Sequence, residues 1–142
     1  ILKTNKMPTT TANISLSSDI TDNSLSVSNS SVLFKAGSAS DGVDTMTSVT
    51  KVLSSTNQVD LITTGSVSTT NAYVYINNPS TDATEFFKIH IGNEGGGSPS
   101  DTEEIGRLYA GDWMWFPWDV DDDITITPSV ATDMTVEYQV FS

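Results

Sequence analysis

The chain contains no cysteine. That one absence removes disulfides, zinc–thiolate sites and cysteine nucleophiles together. It also leaves the redox compartment open, since a protein without thiols is stable in either. Histidine is almost as scarce: His90 is the only one, so no second imidazole or thiolate could share a metal with it. A catalytic histidine needs an oriented nucleophile or carboxylate partner, and no G-x-S-x-G turn supplies one. Long apolar runs are also missing. The longest, Trp113 to Trp118, falls far short of the roughly 20 residues that a membrane-spanning helix requires. The N-terminal stretch ILKTNKMPTTT has no apolar segment of the kind a secretory leader carries. A start at Ile1 is expected to reflect trimming or missing first residues. Positive charge is the last scarcity. Six basic residues face 18 acidic ones, a net charge of −12. Phosphate-driven binding to nucleic acid and adsorption to anionic membranes are both disfavoured by that balance. It either selects cationic or apolar protein partners or simply keeps the chain soluble.

Serine and threonine are abundant, and 28 of the 40 fall within the first 70 residues. Such sequence makes poor helix, because these side chains compete for backbone hydrogen bonds. It can still form strands, where alternation is the sign. Ile14 and Leu16 alternate with serine, and so do Leu25 and Val27. SVLFKA (31–36) is a short apolar run that ends at Gly37. Val43 to Leu53 fits a helical turn or a strand equally well. Val59, Leu61 and Thr63 alternate again.

The second half reads more clearly. AYVYI has two faces and stops at the turn signal Asn77-Asn78-Pro79-Ser80. In EFFKIHI, Phe87, Ile89 and Ile91 line one face, and Phe86, Lys88 and His90 line the other. Ala110-Gly111 predicts a tight turn into Trp113–Phe116, with Pro117 ending that strand. Ile124 and Ile126 alternate with threonine, and Met134, Val136, Tyr138 and Val140 form the apolar face of the last strand. About ten short strands with turn signals every 8–12 residues or so predict an all-β fold. The expected architecture is a jelly-roll-like β-sandwich over 21–142, clearest in 70–142, preceded by an extended arm at 1–20.

Few groups could carry chemistry. Asp119, Asp121, Asp122 and Asp123 form a weak calcium candidate, since close carboxylates in a loop can supply several oxygen ligands. No EF-hand pattern surrounds them, and a solvated loop is the plain alternative. Gly95-Gly96-Gly97 lacks the Lys-Ser or Lys-Thr of a phosphate loop. Glu85, Glu103 and Glu104 have nothing that would position them as an acid/base pair. Asn13-Ile14-Ser15 and Asn29-Ser30-Ser31 match the glycosylation pattern as chance matches in a serine-rich chain. These observations point away from an enzyme and imply no cofactor.

The aromatic segment is the most informative feature. It holds all three tryptophans, Trp113, Trp115 and Trp118. On a strand, Trp113 and Trp115 point one way while Met114 and Phe116 point the other. Either both faces are buried within one subunit or the second face meets a partner. Interfaces are enriched in such residues. Arg107 and Tyr109 stand close by in sequence and join Trp113, Trp115 and Trp118 as interface candidates. A carbohydrate-stacking platform is a further possibility.

Three segments together resemble a type of small virion structural protein of tailed, especially marine, bacteriophages. AYVYINNPSTDATEFFKIHIG carries a Y-I-x-N element that ends in a Ser/Thr turn. EIGRLYAGDWMWFPWD carries GRL-x-x-GDW-x-x-x-PW (Gly106 to Trp118), the most specific of the three. ITITPSVATDMTVEYQVF ends in EY-x-V-F (Glu137 to Phe141). The opening SLSVSNSSVLFKAG is similar too. The resemblance implies a capsid decoration (cement) protein on the outer surface of the virion. Its partner would be the major capsid protein, and it would assemble as a homo-oligomer, a trimer. The arm could pair with an exposed strand edge of a neighbouring capsid subunit. The alternative is a fibre or knob domain that binds a host surface or glycan.

Overall fold

A computed structural model describes residues 8–20, 25–92 and 102–142 of the chain. The described residues form ten strands and one short 3-10 turn, Thr64–Ser66. The chain divides into two compact units, 1–44 and 45–142. The boundary therefore falls at Asp44/Thr45 rather than after an arm of 20 residues. The reason is strand pairing. Strands β1 (Thr10–Ser18) and β2 (Leu25–Leu33) form a two-stranded antiparallel sheet in unbroken register, from Thr10↔Leu33 to Ser18↔Leu25. The predicted arm is thus half of a hairpin, and residues 1–7 lie outside the described part. At the base of this unit the Val43 N–H donates to the Leu33 carbonyl. Lys35 Nζ bonds Asp44 Oδ2 at 2.8 Å. Gly42 is pressed against Pro8, whose carbonyl oxygen would stand 2.6 Å from any added Cβ.

The second unit contains β3 (Met46–Leu53), β4 (Val59–Ile62), β5 (Ala72–Asn77), β6 (Phe86–Gly92), β7 (Thr102–Tyr109), β8 (Trp113–Trp118), β9 (Ile124–Pro128) and β10 (Met134–Phe141). They form two four-stranded sheets, ordered β3-β10-β5-β8 and β4-β9-β6-β7. Every pairing is antiparallel. The pairs β3·β10, β4·β9, β5·β8 and β6·β7 are what one long hairpin makes when it is wound around a core with β6–β7 at its tip. That is the jelly roll, and the chain is all-β with its sheets packed as a sandwich.

Alternation explains why these segments pair as they do. Val74 and Ile76, Phe87 and Ile89, Ile124 and Ile126, and Met134, Val136 and Val140 all enter one buried cluster between the sheets. The ambiguous run before Leu53 becomes strand β3, because Val49 and Leu53 share a face with Tyr138 and Met134 of β10.

Each outer edge of the sandwich carries a device that discourages further strand pairing. Pro117 sits within β8, which is tolerated because β8 is an edge strand. The strand therefore runs on to Trp118 rather than stopping at the proline. Lys51 of β3 points toward the other sheet and donates from Nζ to the Asp60 carbonyl at 3.1 Å. Bulges interrupt β4 between Asp60 and Ile62, and β7 around Ile105.

Candidate docking surface

The outer face of the β3-β10-β5-β8 sheet gathers aromatic side chains from three strands. Tyr75 lies opposite Trp115, and Asn77 opposite Trp113, across the β5–β8 pair. Phe141 of β10 lies opposite Tyr73 of β5. The intervening Val74, Ile76 and Val140 point into the core, so period-2 alternation turns all five rings outward. Tyr73 and Trp115 stack with centroids 5.8 Å apart and planes within 6°. Phe141 meets Trp115 edge-on at 5.7 Å, and Tyr75 meets Trp113 at 6.0 Å. Trp113 is 53% exposed and the other four rings are half-buried. Polar groups flank the cluster: Asn77 Nδ2 donates to Glu137 Oε2 at 3.0 Å, and Gln139 Nε2 to Ser48 Oγ at 3.2 Å.

The five residues expected at an interface are not brought together. Trp113 and Trp115 lie on this face. Trp118 does not: it is 3% exposed, packs in the core, and donates its indole N–H to the Asp122 carbonyl at 2.9 Å. Its even position on β8 puts it with Met114 and Phe116. Arg107 and Tyr109 flank the buried Leu108 on β7, so they occupy the outer face of the other sheet. There the Arg107 guanidinium bonds Glu104 at 2.8 Å and lies 5.2 Å from the Phe86 ring centroid. The Phe86 ring meets Tyr109 at 5.0 Å. The Arg107 hydrogen bond holds the Glu104 carboxyl below its usual range. Arg107 thus pairs within the fold.

Tyr73, Tyr75 and Phe141, which are not among the residues expected at an interface, complete the surface. The signal was available: in AYVYI the aromatic positions alternate with aliphatic ones, as Trp113 and Trp115 alternate with Met114 and Phe116.

The acidic loop does not converge on a point. Asp123 is nearly buried, and its Oδ1 accepts the Thr64 N–H at 2.7 Å. Asp119 Oδ1 accepts the Asp121 N–H at 3.3 Å, and Val120 between them takes a positive φ of 64°. Among the described residues no three acidic or histidine side chains come together as a metal-holding group. In this loop the carboxylates of Asp119 and Asp123 each accept a backbone N–H. The Gly95-Gly96-Gly97 segment lies outside the described residues.

His90 faces outward from β6, nearly buried beside Thr125 and 3.4 Å from Thr127 Oγ1. Burial lowers its pKa; Glu104 pulls the other way and Lys88 adds to the lowering. The fold thus binds a proton less readily than the unfolded chain does. Stability is full above the unfolded value of 6.5 and is lost as pH falls from there through the lower folded pKa. Urea melts between pH 7.5 and 5 are expected to show that decline, and His90→Gln to flatten it. An unchanged slope in the variant would remove His90 as its source.

An open, mostly apolar cleft of about 360 Å³ is lined by Ile91, Ile105, Phe116, Pro117 and Trp118 together with Asn71 and Asp119.

No protein-family model matches the chain, and no curated protein matches its sequence. Among solved structures, it is similar to the crystal structure of Yersinia pseudotuberculosis-derived mitogen (YPM). That likeness covers 68% of this chain and 84% of the other, with 13% sequence identity and a TM-score of 0.41.

Proposed function

We propose that this chain is an auxiliary capsid protein of a tailed bacteriophage, binding neighbouring major-capsid subunits on the outer surface of the shell and stabilising it. The outward aromatic cluster on β5, β8 and β10 carries this reading. Five rings on a rigid sheet supply large contact area at little conformational cost, as binding surfaces do. The sandwich unit has Lys51, Lys88 and Arg107 against 14 carboxylates, a net −11, which disfavours contact with packaged nucleic acid. The resemblance of the Gly106–Trp118 segment to virion structural proteins supplies the setting.

A glycan-binding fibre or knob domain is the second reading, and ring geometry weighs against it. A sugar stacks on a free ring face. Tyr73 and Trp115 turn their faces to each other, and Phe141 closes on Trp115 from the side. Trp113 alone is mostly exposed.

The test begins with purified virions from the source, analysed by mass spectrometry for this chain and its ratio to the major capsid protein. A ratio near unity or a simple fraction of it fits shell decoration. A trace ratio fits fibres, and absence from particles removes the virion setting altogether. Trp113→Ala is then expected to weaken binding to shells stripped of the chain by about 10- to 100-fold, with little change in melting temperature. Undiminished binding would place the contact elsewhere. Loss of glycan binding with shell binding intact would favour the second reading.

A further inference from the structure

One face of the β1–β2 hairpin carries exposed apolar side chains. Register puts Ala12, Ile14 and Leu16 of β1 on the same side as Leu25, Val27 and Leu33 of β2. Leu33, at the base, is buried, but Ile14, Leu16, Leu25 and Val27 are 42%, 55%, 50% and 46% exposed. The opposite side carries Thr11, Asn13, Ser15, Ser17, Ser26, Ser28 and Ser30, with Val32 as its one large apolar residue. The hairpin is therefore amphipathic: most of its large apolar side chains share one side with Thr10, Ser18, Asn29 and Ser31, and both sides are largely exposed.

We propose that this face is a self-association surface and that its occupant is a second copy of the same chain. Charge makes the first argument. Neither Thr10–Ser18 nor Leu25–Leu33 contains a charged residue. The unit 1–44 has Lys3, Lys6 and Lys35 against Asp19, Asp22, Asp41 and Asp44, a net −1, while 45–142 carries −11. Copies of so acidic a chain repel one another over most of their surface. The hairpin is where two copies can meet without that repulsion. A cationic partner would find no carboxylate on these two strands.

Edges make the second argument. The sandwich blunts its edges with Pro117, Lys51 and two bulges. The hairpin has two edges and no such device: its register has no bulge, and neither strand holds a proline or a lysine. An isolated two-stranded hairpin is marginal in water, whereas more strands sharing an apolar face are stable. Two hairpins laid face to face bury Ile14, Leu16, Leu25 and Val27 of both copies. Such a contact is self-complementary, as a two-fold interface must be. It is separate from the aromatic cluster and independent of any virion setting.

Sedimentation equilibrium of the full chain over a range of concentrations tests this. The expected mass is a multiple of 15.2 kDa. The pair Leu16→Asp and Val27→Asp, introduced together, is expected to weaken association at least about 100-fold, because it would bury like charges. Ser15→Asp with Ser28→Asp, on the polar side, is expected to leave association within a few-fold of the parent. All three tryptophans lie in 45–142, so their fluorescence and near-UV dichroism report whether the sandwich of each variant is intact. A parent chain that sediments at 15.2 kDa at its highest attainable concentration overturns the proposal. So does an apolar-face pair that keeps the parent's mass, or a polar-face pair that loses it equally.

Discussion

Trp118→Ala is expected to destabilise the sandwich by about 3–5 kcal/mol, the usual cost of removing a large aromatic from a core. Two effects add. The indole is packed in the cluster between the sheets with 3% exposure, so its loss leaves a cavity beside Ile91 and Phe116. The Asp122 carbonyl also loses the N–H that bonds it at 2.9 Å, in the loop where Asp123 bonds Thr64 and Gly92. In a unit of about this size, such a loss lowers the melting temperature by at least about 12 °C. Trp113→Ala, at an exposed position five residues earlier, is expected to cost less than about 1 kcal/mol. The measurement is a pair of urea titrations with thermal melts. Equal losses in the two variants would mean that Trp118 is not the buried one.

Asn78→Ala is the second large effect, expected at about 2–4 kcal/mol from unsatisfied polar groups and a small cavity. Asn78 is fully buried where β5 turns away from the sheet. Its side-chain amide donates to the Leu108 carbonyl at 3.0 Å, and its Oδ1 accepts the Ser80 N–H at 3.1 Å. Its backbone N–H donates to the Asp112 carbonyl, and its carbonyl accepts from Gly111. One residue thus ties the end of β5 to the β7–β8 turn, where Gly111 takes a positive φ of 80° that glycine adopts without strain. Asn78→Leu separates the contributions. It keeps the branched shape and roughly the volume but removes both the donor to Leu108 and the acceptor of the Ser80 N–H, so a loss close to that of alanine assigns the effect to hydrogen bonding. A loss below about 0.5 kcal/mol for alanine would contradict the satisfied amide.

Alternation made most of the sandwich legible. AYVYI, EFFKIHI, DITITP and MTVEYQVF each place aliphatics at every second position, and each became a strand with those residues inside. Parity also fixed which residues share a face: Trp118 belongs with Met114 and Phe116, and its grouping with Trp113 and Trp115 went against that rule. Parity does not say which face looks inward when both are apolar, as on β8. Nor does a serine-rich alternation say whether it lies along a neighbour as an arm or folds on itself, because residues 10–18 and 25–33 fit either.

By itself, then, the sequence determined the β class, the strand periods, the acidity that disfavours nucleic acid, and the lack of a recognisable catalytic motif. These follow from local properties: residue volumes, charges and a side-chain period of two. The tertiary structure decided the rest. It grouped Tyr73, Tyr75 and Phe141 with Trp113 and Trp115, sent Arg107 to the opposite face, and drew Trp118 and Asp123 into the sandwich. Those outcomes depend on which strands pair. The pairs β3·β10 and β5·β8 join segments far apart in sequence, and no local pattern specifies them. They are selected by burying the apolar faces of all eight sandwich strands in one core.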